Sequence, residues 1–237
     1  MINYDTKNCI IVAYPPGAGG NFLINSLALS KHAVMSDKDL AEQQLAGSLT
    51  SVDKLEILKT RIQNSSNTHW NDLKLGILSL TGVTPENYYT LSKEQIDQTY
   101  YDVVHTLSNS DYKFFLMAHD KRSLEQICKV WNNPTIILFE NTKKFVGWRS
   151  YGYGVFKNVS AHSFIEFSID VIPKKYTTHL FDGSAYFNKS DTLNQIERIY
   201  KLLELPDFDA NLIGQYSDAW KAKLAVFKTT ALAHNNT

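Results

Sequence analysis

Residues 9–30 read CIIVAYPPGAGGNFLINSLALS, and this stretch decides the reading of the rest. Residues 9–14 form a continuous apolar run with β-branched members, the pattern of a strand covered on both faces. Pro15 and Pro16 end it. Gly17, Gly19 and Gly20 then leave the backbone free to take positive φ. From about Asn21 onward, Phe22, Leu23, Leu27 and Leu29 recur at helical intervals. A buried strand, a glycine loop and a helix in that order predict an α/β nucleotide-binding protein. The loop amides and the partly positive start of the helix would converge on a phosphate or sulfate. The residues also allow a second reading, a tight strand-to-helix turn with no ligand.

Working outward, the chain has 237 residues, 43% of them hydrophobic, which is enough for a sizeable core and short for two full domains. The expectation is one domain spanning 1–237. Lys plus Arg equals Asp plus Glu at 24 each, so no global field draws the chain to nucleic acid or an anionic membrane, and any affinity for an anion must be local. Cys9 and Cys128 lie in apolar runs, and no secretory signal is seen, so a reducing, cytoplasmic setting without a structural disulfide is expected. No apolar run approaches the roughly 20 residues of a membrane-spanning helix.

Residues 36–110 are mostly helical in pattern, with Leu40, Leu45, Leu55, Leu58 and Ile62 spaced by helical turns. Ser92 and Gln95 have the form of a capping box. Further strands are predicted at 113–119 (KFFLMAH), 134–140 (PTIILFE) and 176–182 (YTTHLFD). Between the first two of these a helix carries Leu124, Ile127, Cys128 and Trp131 on one face, and residues 143–148 read as helical. Ser190 starts an amphipathic helix through Ile196, Ile199, Tyr200 and Leu203 that stops near Pro206. Asp209 starts another with Leu212, Tyr216 and Trp220, and the terminal AHNNT reads as frayed. Strands alternating with helices imply a parallel sheet.

The loop YPPGAGGNF is not the ordinary NTPase loop, since it lacks the lysine and the following hydroxyl that magnesium needs, and GxGxxG is absent too. It resembles the 5′-phosphosulfate loop of sulfotransferases that use 3′-phosphoadenylyl sulfate (PAPS), a Tyr-Pro-Lys-Ser-Gly-Thr-Thr-Trp type of segment. Aligning Pro16 with the family's proline puts Gly17 at its lysine, Ala18 at its serine, Gly19 at its glycine and Phe22 at its tryptophan. The resemblance implies a three-layer P-loop-type α/β fold with a central, mainly parallel sheet flanked by helices, carrying here a helical insertion over 36–110. It also implies PAPS as cofactor, 3′-phosphoadenosine 5′-phosphate (PAP) as product, and no metal. Pro16, Gly17, Ala18, Gly19, Gly20, Asn21 and Phe22 would hold the 5′ end. The acceptor would be a hydroxyl or amine on a small molecule or glycan. With no lysine at Gly17, backbone amides or a basic residue such as Lys121 or Arg122 would have to stabilise the leaving oxygen.

The family's general base, a histidine just after a strand, matches His119 in KFFLMAHD, and a neutral imidazole is suited to take a proton from an attacking hydroxyl. The 3′-phosphate segment matches less well. In FENTKKFVGWRS, Asn141 is in register, whereas Glu140 stands at the arginine and Trp148 at the serine. Arg149 and Ser150 are the nearest substitutes, with Lys143 and Lys144 beside them. The late segments HLFDGSAYF, LLELPDFD and LIGQYSDAW occur in the family's order. The loop form is nearest to divergent sulfotransferase-like proteins of microbes and their phages. A non-catalytic, anion-binding descendant acting through a partner is the alternative that Gly17 and Glu140 suggest, and an unusual kinase is the third. The seven scattered histidines show no zinc-ligand spacing, and no serine sits in GxSxG. WRSYGYGVF, residues 148–156, reads as a loop that covers a pocket or packs on the core.

Overall fold

A computed structural model describes residues 7–14, 19–34, 38–64, 110–118, 121–140 and 172–235. Four strands, β1 (Cys9–Ala13), β2 (Phe114–Ala118), β3 (Thr135–Glu140) and β4 (Thr178–Asp182), lie in the order β2-β1-β3-β4, and every neighbouring pair is parallel. Ile11 sits between Leu116 and Ile136 in the register. All five residues of β1 are buried, as its unbroken apolar run requires of a central strand.

The helices are α1 (Gly20–Ala28), α2 (Lys38–Leu45), α3 (Ser51–Asn64), α4 (Lys121–Val130), α5 (Lys189–Leu202) and α6 (Ala210–Asn235), with a 3₁₀ turn at Gly183–Phe187. The period of two along β1 sorts them into layers. Ile10, Val12 and Tyr14 face one cluster, which takes in Leu23 and Leu27 of α1, Leu55 and Leu58 of α3, Ile196 of α5 and Tyr216 of α6. Cys9, Ile11 and Ala13 face the other, with Leu124 and Ile127 of α4 and with Trp131. Helices on both faces of an all-parallel sheet make the three-layer α/β arrangement that the sequence predicts. Each of the four expected strands is present, within two residues of its expected bounds.

Three local features differ or were not foreseen. α6 runs through Asn235, so Ala233, His234 and Asn235 belong to a helix where a frayed end was expected. The 3₁₀ turn after β4 is capped by Asp182, whose side chain accepts from the Ser184 amide. Periodicity assigned α3 an apolar face but did not foresee Lys54 on it, fully buried beside Leu55 and Leu58. α2 and α3 lie within the expected helical stretch 36–110. The capping box at Ser92 and the helical pattern at 143–148 fall outside the described residues. Among the described residues no helix is long and apolar enough to cross a membrane.

Candidate functional site

In an open parallel sheet, ligands sit beyond the carboxyl ends of the strands where the winding direction reverses. With the order β2-β1-β3-β4, that point lies between β1 and β3. The glycine loop leaves β1 there. Tyr14 extends the ladder past β1, its amide donating to the Ala118 carbonyl at 3.0 Å.

Pro16, Gly17 and Ala18 lie outside the described residues. Gly19 is the N-cap of α1 with φ +79°, a conformation glycine adopts without a Cβ penalty. Its carbonyl accepts from the Phe22 amide at 3.0 Å, from the Leu23 amide at 3.4 Å and from the Tyr186 hydroxyl at 2.8 Å. The amides of Gly20 and Asn21 find no acceptor among the described residues, as expected in a first helical turn. They are two donors at the positive end of the helix. The Tyr14 hydroxyl donates to Asn21 Oδ1 at 2.5 Å. With that oxygen engaged, the donor hydrogens on Nδ2 are what Asn21 has left to offer.

Packing supplies a second reason for two glycines here. A Cβ on Gly19 would lie 2.8 Å from Tyr186 Cε2, and one on Gly20 would lie 2.2 Å from Tyr14 Cδ1 and Cε1. The loop end is thus pressed between two tyrosine rings. Burial pushes the Tyr186 hydroxyl well above its ordinary range, helped by Tyr216 and Tyr14, so it remains a neutral donor to Gly19.

Phe22 is spent on the core. Its ring stacks on Tyr216 with centroids 5.3 Å apart and meets Tyr186 edge-on at 5.1 Å, and the residue is 2% exposed. Its amide is used by Gly19. A ligand at the loop therefore has neither group of Phe22 to contact. Tyr216 and Trp220 belong to the same cluster.

His119, Arg149 and Ser150 lie outside the described residues, as do Lys143 and Lys144. Lys121 opens α4, exposed and 3.7 Å from Glu125. Glu140 ends β3, exposed, with Asp182 as its register partner on β4, so two carboxylate residues stand side by side at the carboxyl edge. Among the described residues no group of three or more His, Cys, Asp or Glu side chains is placed to hold a metal ion.

Sequence reasoning missed Tyr14 and Tyr186 as holders of the loop. Tyr14 carried a weak signal, as the last residue of the apolar run and the point where the chain turns. Tyr186 carried none, because it reaches Gly19 across 167 residues from a 3₁₀ turn.

No family model matches the sequence, and no curated protein matches it. Among solved structures, a sulfotransferase domain from the Synechococcus PCC 7002 olefin synthase is similar at 12% identity and a TM-score of 0.38, over 91% of this chain and 79% of that one. A superposition this loose carries no weight for fold or activity. The described fold rests on its own geometry, a parallel sheet with helices on both faces and a glycine-capped helix starting at its carboxyl edge.

Proposed function

We propose that the chain is a sulfotransferase-like protein that binds PAPS and PAP at the β1–α1 loop and transfers sulfonate to a hydroxyl or amine on a small molecule or glycan. The observation that carries this reading is the pair of first-turn amides, Gly20 and Asn21, at the carboxyl edge of β1, which have no acceptor among the described residues, where backbone donors and the helix dipole favour an anion. The resemblance of YPPGAGGNF to the phosphosulfate loop gives the anion its identity.

In this reading Pro16, Gly17, Ala18, Gly19, Gly20 and Asn21 wrap the 5′ end of PAPS, Arg149 and Ser150 reach the 3′-phosphate, and His119 takes the proton from the acceptor. Support for His119 comes from connectivity. It directly follows Ala118, whose carbonyl is bonded to Tyr14 at the mouth of the loop. The sulfonate leaves PAP as the S–O bond to the 5′-phosphate breaks and the acceptor's S–O or S–N bond forms, with the acceptor proton going to His119. Lys121 or Arg122, at the start of α4, would supply the positive charge that Gly17 does not. Calorimetry with PAP tests the binding step, and no heat at millimolar ligand would sink it. Labelled sulfonate should move to an acceptor with the wild type and not with His119→Ala.

A second reading, a non-catalytic anion binder acting through a partner, draws on Glu140 and Asp182 paired at the same edge. It predicts heat with PAP and no sulfonate transfer by the wild type.

A further inference from the structure

Lys54 has no exposed surface. Its Nζ donates to three backbone carbonyls: Ala28 at 2.9 Å, Ser30 at 2.6 Å and Ala33 at 2.5 Å. These belong to the end of α1 and the turn that leaves it, where the last carbonyls of a helix lack internal partners and carry its negative pole. The count matters. An ammonium has three N–H donors, matching the three acceptors, whereas a neutral amine has one fewer.

Asp207, between α5 and α6, closes the same turn from another side. Its Oδ1 accepts from Ser30 Oγ at 2.5 Å and its Oδ2 from the Lys31 amide at 2.7 Å. Beyond the turn, Ala33 bridges to Lys113 just ahead of β2. The carbonyl end of α1 is thus tied to α3, to the α5–α6 link and to the sheet.

We propose that Lys54 is a proton-operated clamp on this end of α1: as an ammonium it holds Ala28, Ser30 and Ala33 together, and as an amine it releases one of them. Burial, which penalises the charge, brings Lys54 down to about 7, while the Asp207 carboxylate pulls the other way. The change of state therefore falls near neutral pH. Among the described residues, other charged or titratable groups around the site are Lys31, exposed, and His32, half-buried, in the turn after α1, with Asp209 exposed at the start of α6. Tyr200 on α5 donates to the Ser26 carbonyl and is kept neutral by burial and by Asp207. Asp53, beside Lys54 on α3, is exposed and bonded to Thr50. The clamp does not depend on what the glycine loop binds, although it grips the far end of the same helix.

The test is nuclear magnetic resonance on the whole chain, following Lys54 15Nζ and the carbonyl 13C shifts of Ala28, Ser30 and Ala33 from about pH 5.5 to 9, the span that brackets the depressed lysine. The expected result is an Nζ midpoint near 7, with at least one of the three carbonyls moving at that midpoint. Asp207→Asn keeps an acceptor oxygen for Ser30 and removes the charge, and should shift the midpoint lower. An Nζ that stays protonated throughout overturns the proposal, and so does one that titrates while all three carbonyls stand still. If Asp207→Asn does not fold, the wild-type titration alone decides.

Discussion

Replacing Gly20 by alanine gives a change whose sign separates two accounts of the loop. In an ordinary helical position, Gly→Ala stabilises by up to about 1 kcal/mol through backbone entropy. Here the new Cβ would lie 2.2 Å from two ring carbons of Tyr14, against 3.4 Å for the near edge of ordinary contact. Tyr14 is 3% exposed and packs on Phe139 with centroids 5.6 Å apart, so its ring has no room to withdraw by more than an ångström. Overpacking of this kind costs about 1–3 kcal/mol, and displacing the ring also breaks the hydrogen bond to Asn21 Oδ1, worth about 1 kcal/mol. A net loss of about 1–3 kcal/mol is expected after an entropy gain of up to about 1 kcal/mol is offset. Urea unfolding of wild type and Gly20→Ala, with m unchanged, measures it. Tyr14→Leu in the Gly20→Ala background should recover at least 1 kcal/mol beyond additivity, as expected for residues in contact. A Gly20→Ala protein as stable as wild type, or single effects that simply add, would refute the close approach.

Lys54 gives a pH prediction whose sign follows from linkage. Its folded value lies below the unfolded one, so the unfolded chain binds more protons between about 7 and 10.5 and stability rises with pH in that window, by up to about 1.4 kcal/mol per unit. Lys54→Met should flatten the rise between about pH 7 and 8.5, before the buried Cys9, held well above its usual range by burial, begins to oppose it; an unchanged slope in urea midpoints would count against the assignment. Tyr186→Phe keeps the ring and removes the hydroxyl on the Gly19 carbonyl, and should lower the unfolding free energy by about 1 kcal/mol; no change by denaturant titration would show the bond to be idle. Glu140→Gln should tighten PAP binding about fivefold in low salt, with the gain fading as salt is added; weaker or unchanged calorimetric affinity would argue that no anion sits near β3.

The layers of this fold were legible because each strand is a short apolar run bounded by turn residues, and each helix beside it shows one apolar face. β1 and α1 follow from residues 9–30 almost residue for residue, since a strand buried on both faces has little other pattern to follow. Leu124, Ile127 and Trp131 went inside as their spacing required. What stayed hidden was non-local or polar. Strand order is not written in any one segment, because it depends on which edges pair. Tyr186 on Gly19 and Lys54 under α1 join parts of the chain through single polar atoms, which leave no periodic trace. At the loop, the glycines were read as room for backbone amides to converge on a ligand. Their second cause is internal to the protein, two tyrosine rings that occupy the space a side chain would need.

That double duty bears on how strongly the loop can hold an anion. Two amides and the Asn21 side chain give neutral donors, each worth about 1.5–3 kcal/mol when it meets a charge. Opposite them, Glu140 and Asp182 stand on neighbouring strands about 5 Å apart, with β3 itself next to β1. A phosphate held at the β1–β3 switch point would be repelled by a nearby carboxylate by about 1 kcal/mol per charge pair once solvent screening is counted. In the proposed reading the neutral donors would outweigh that for one phosphate group, so the loop alone would suffice to hold one. PAP carries a second phosphate that these donors, already given to the first, would not serve. Holding the second group therefore requires a cation, and the basic residues around Arg149 and at the start of α4 are the ones whose loss should separate binding of PAP from binding of a simple phosphate.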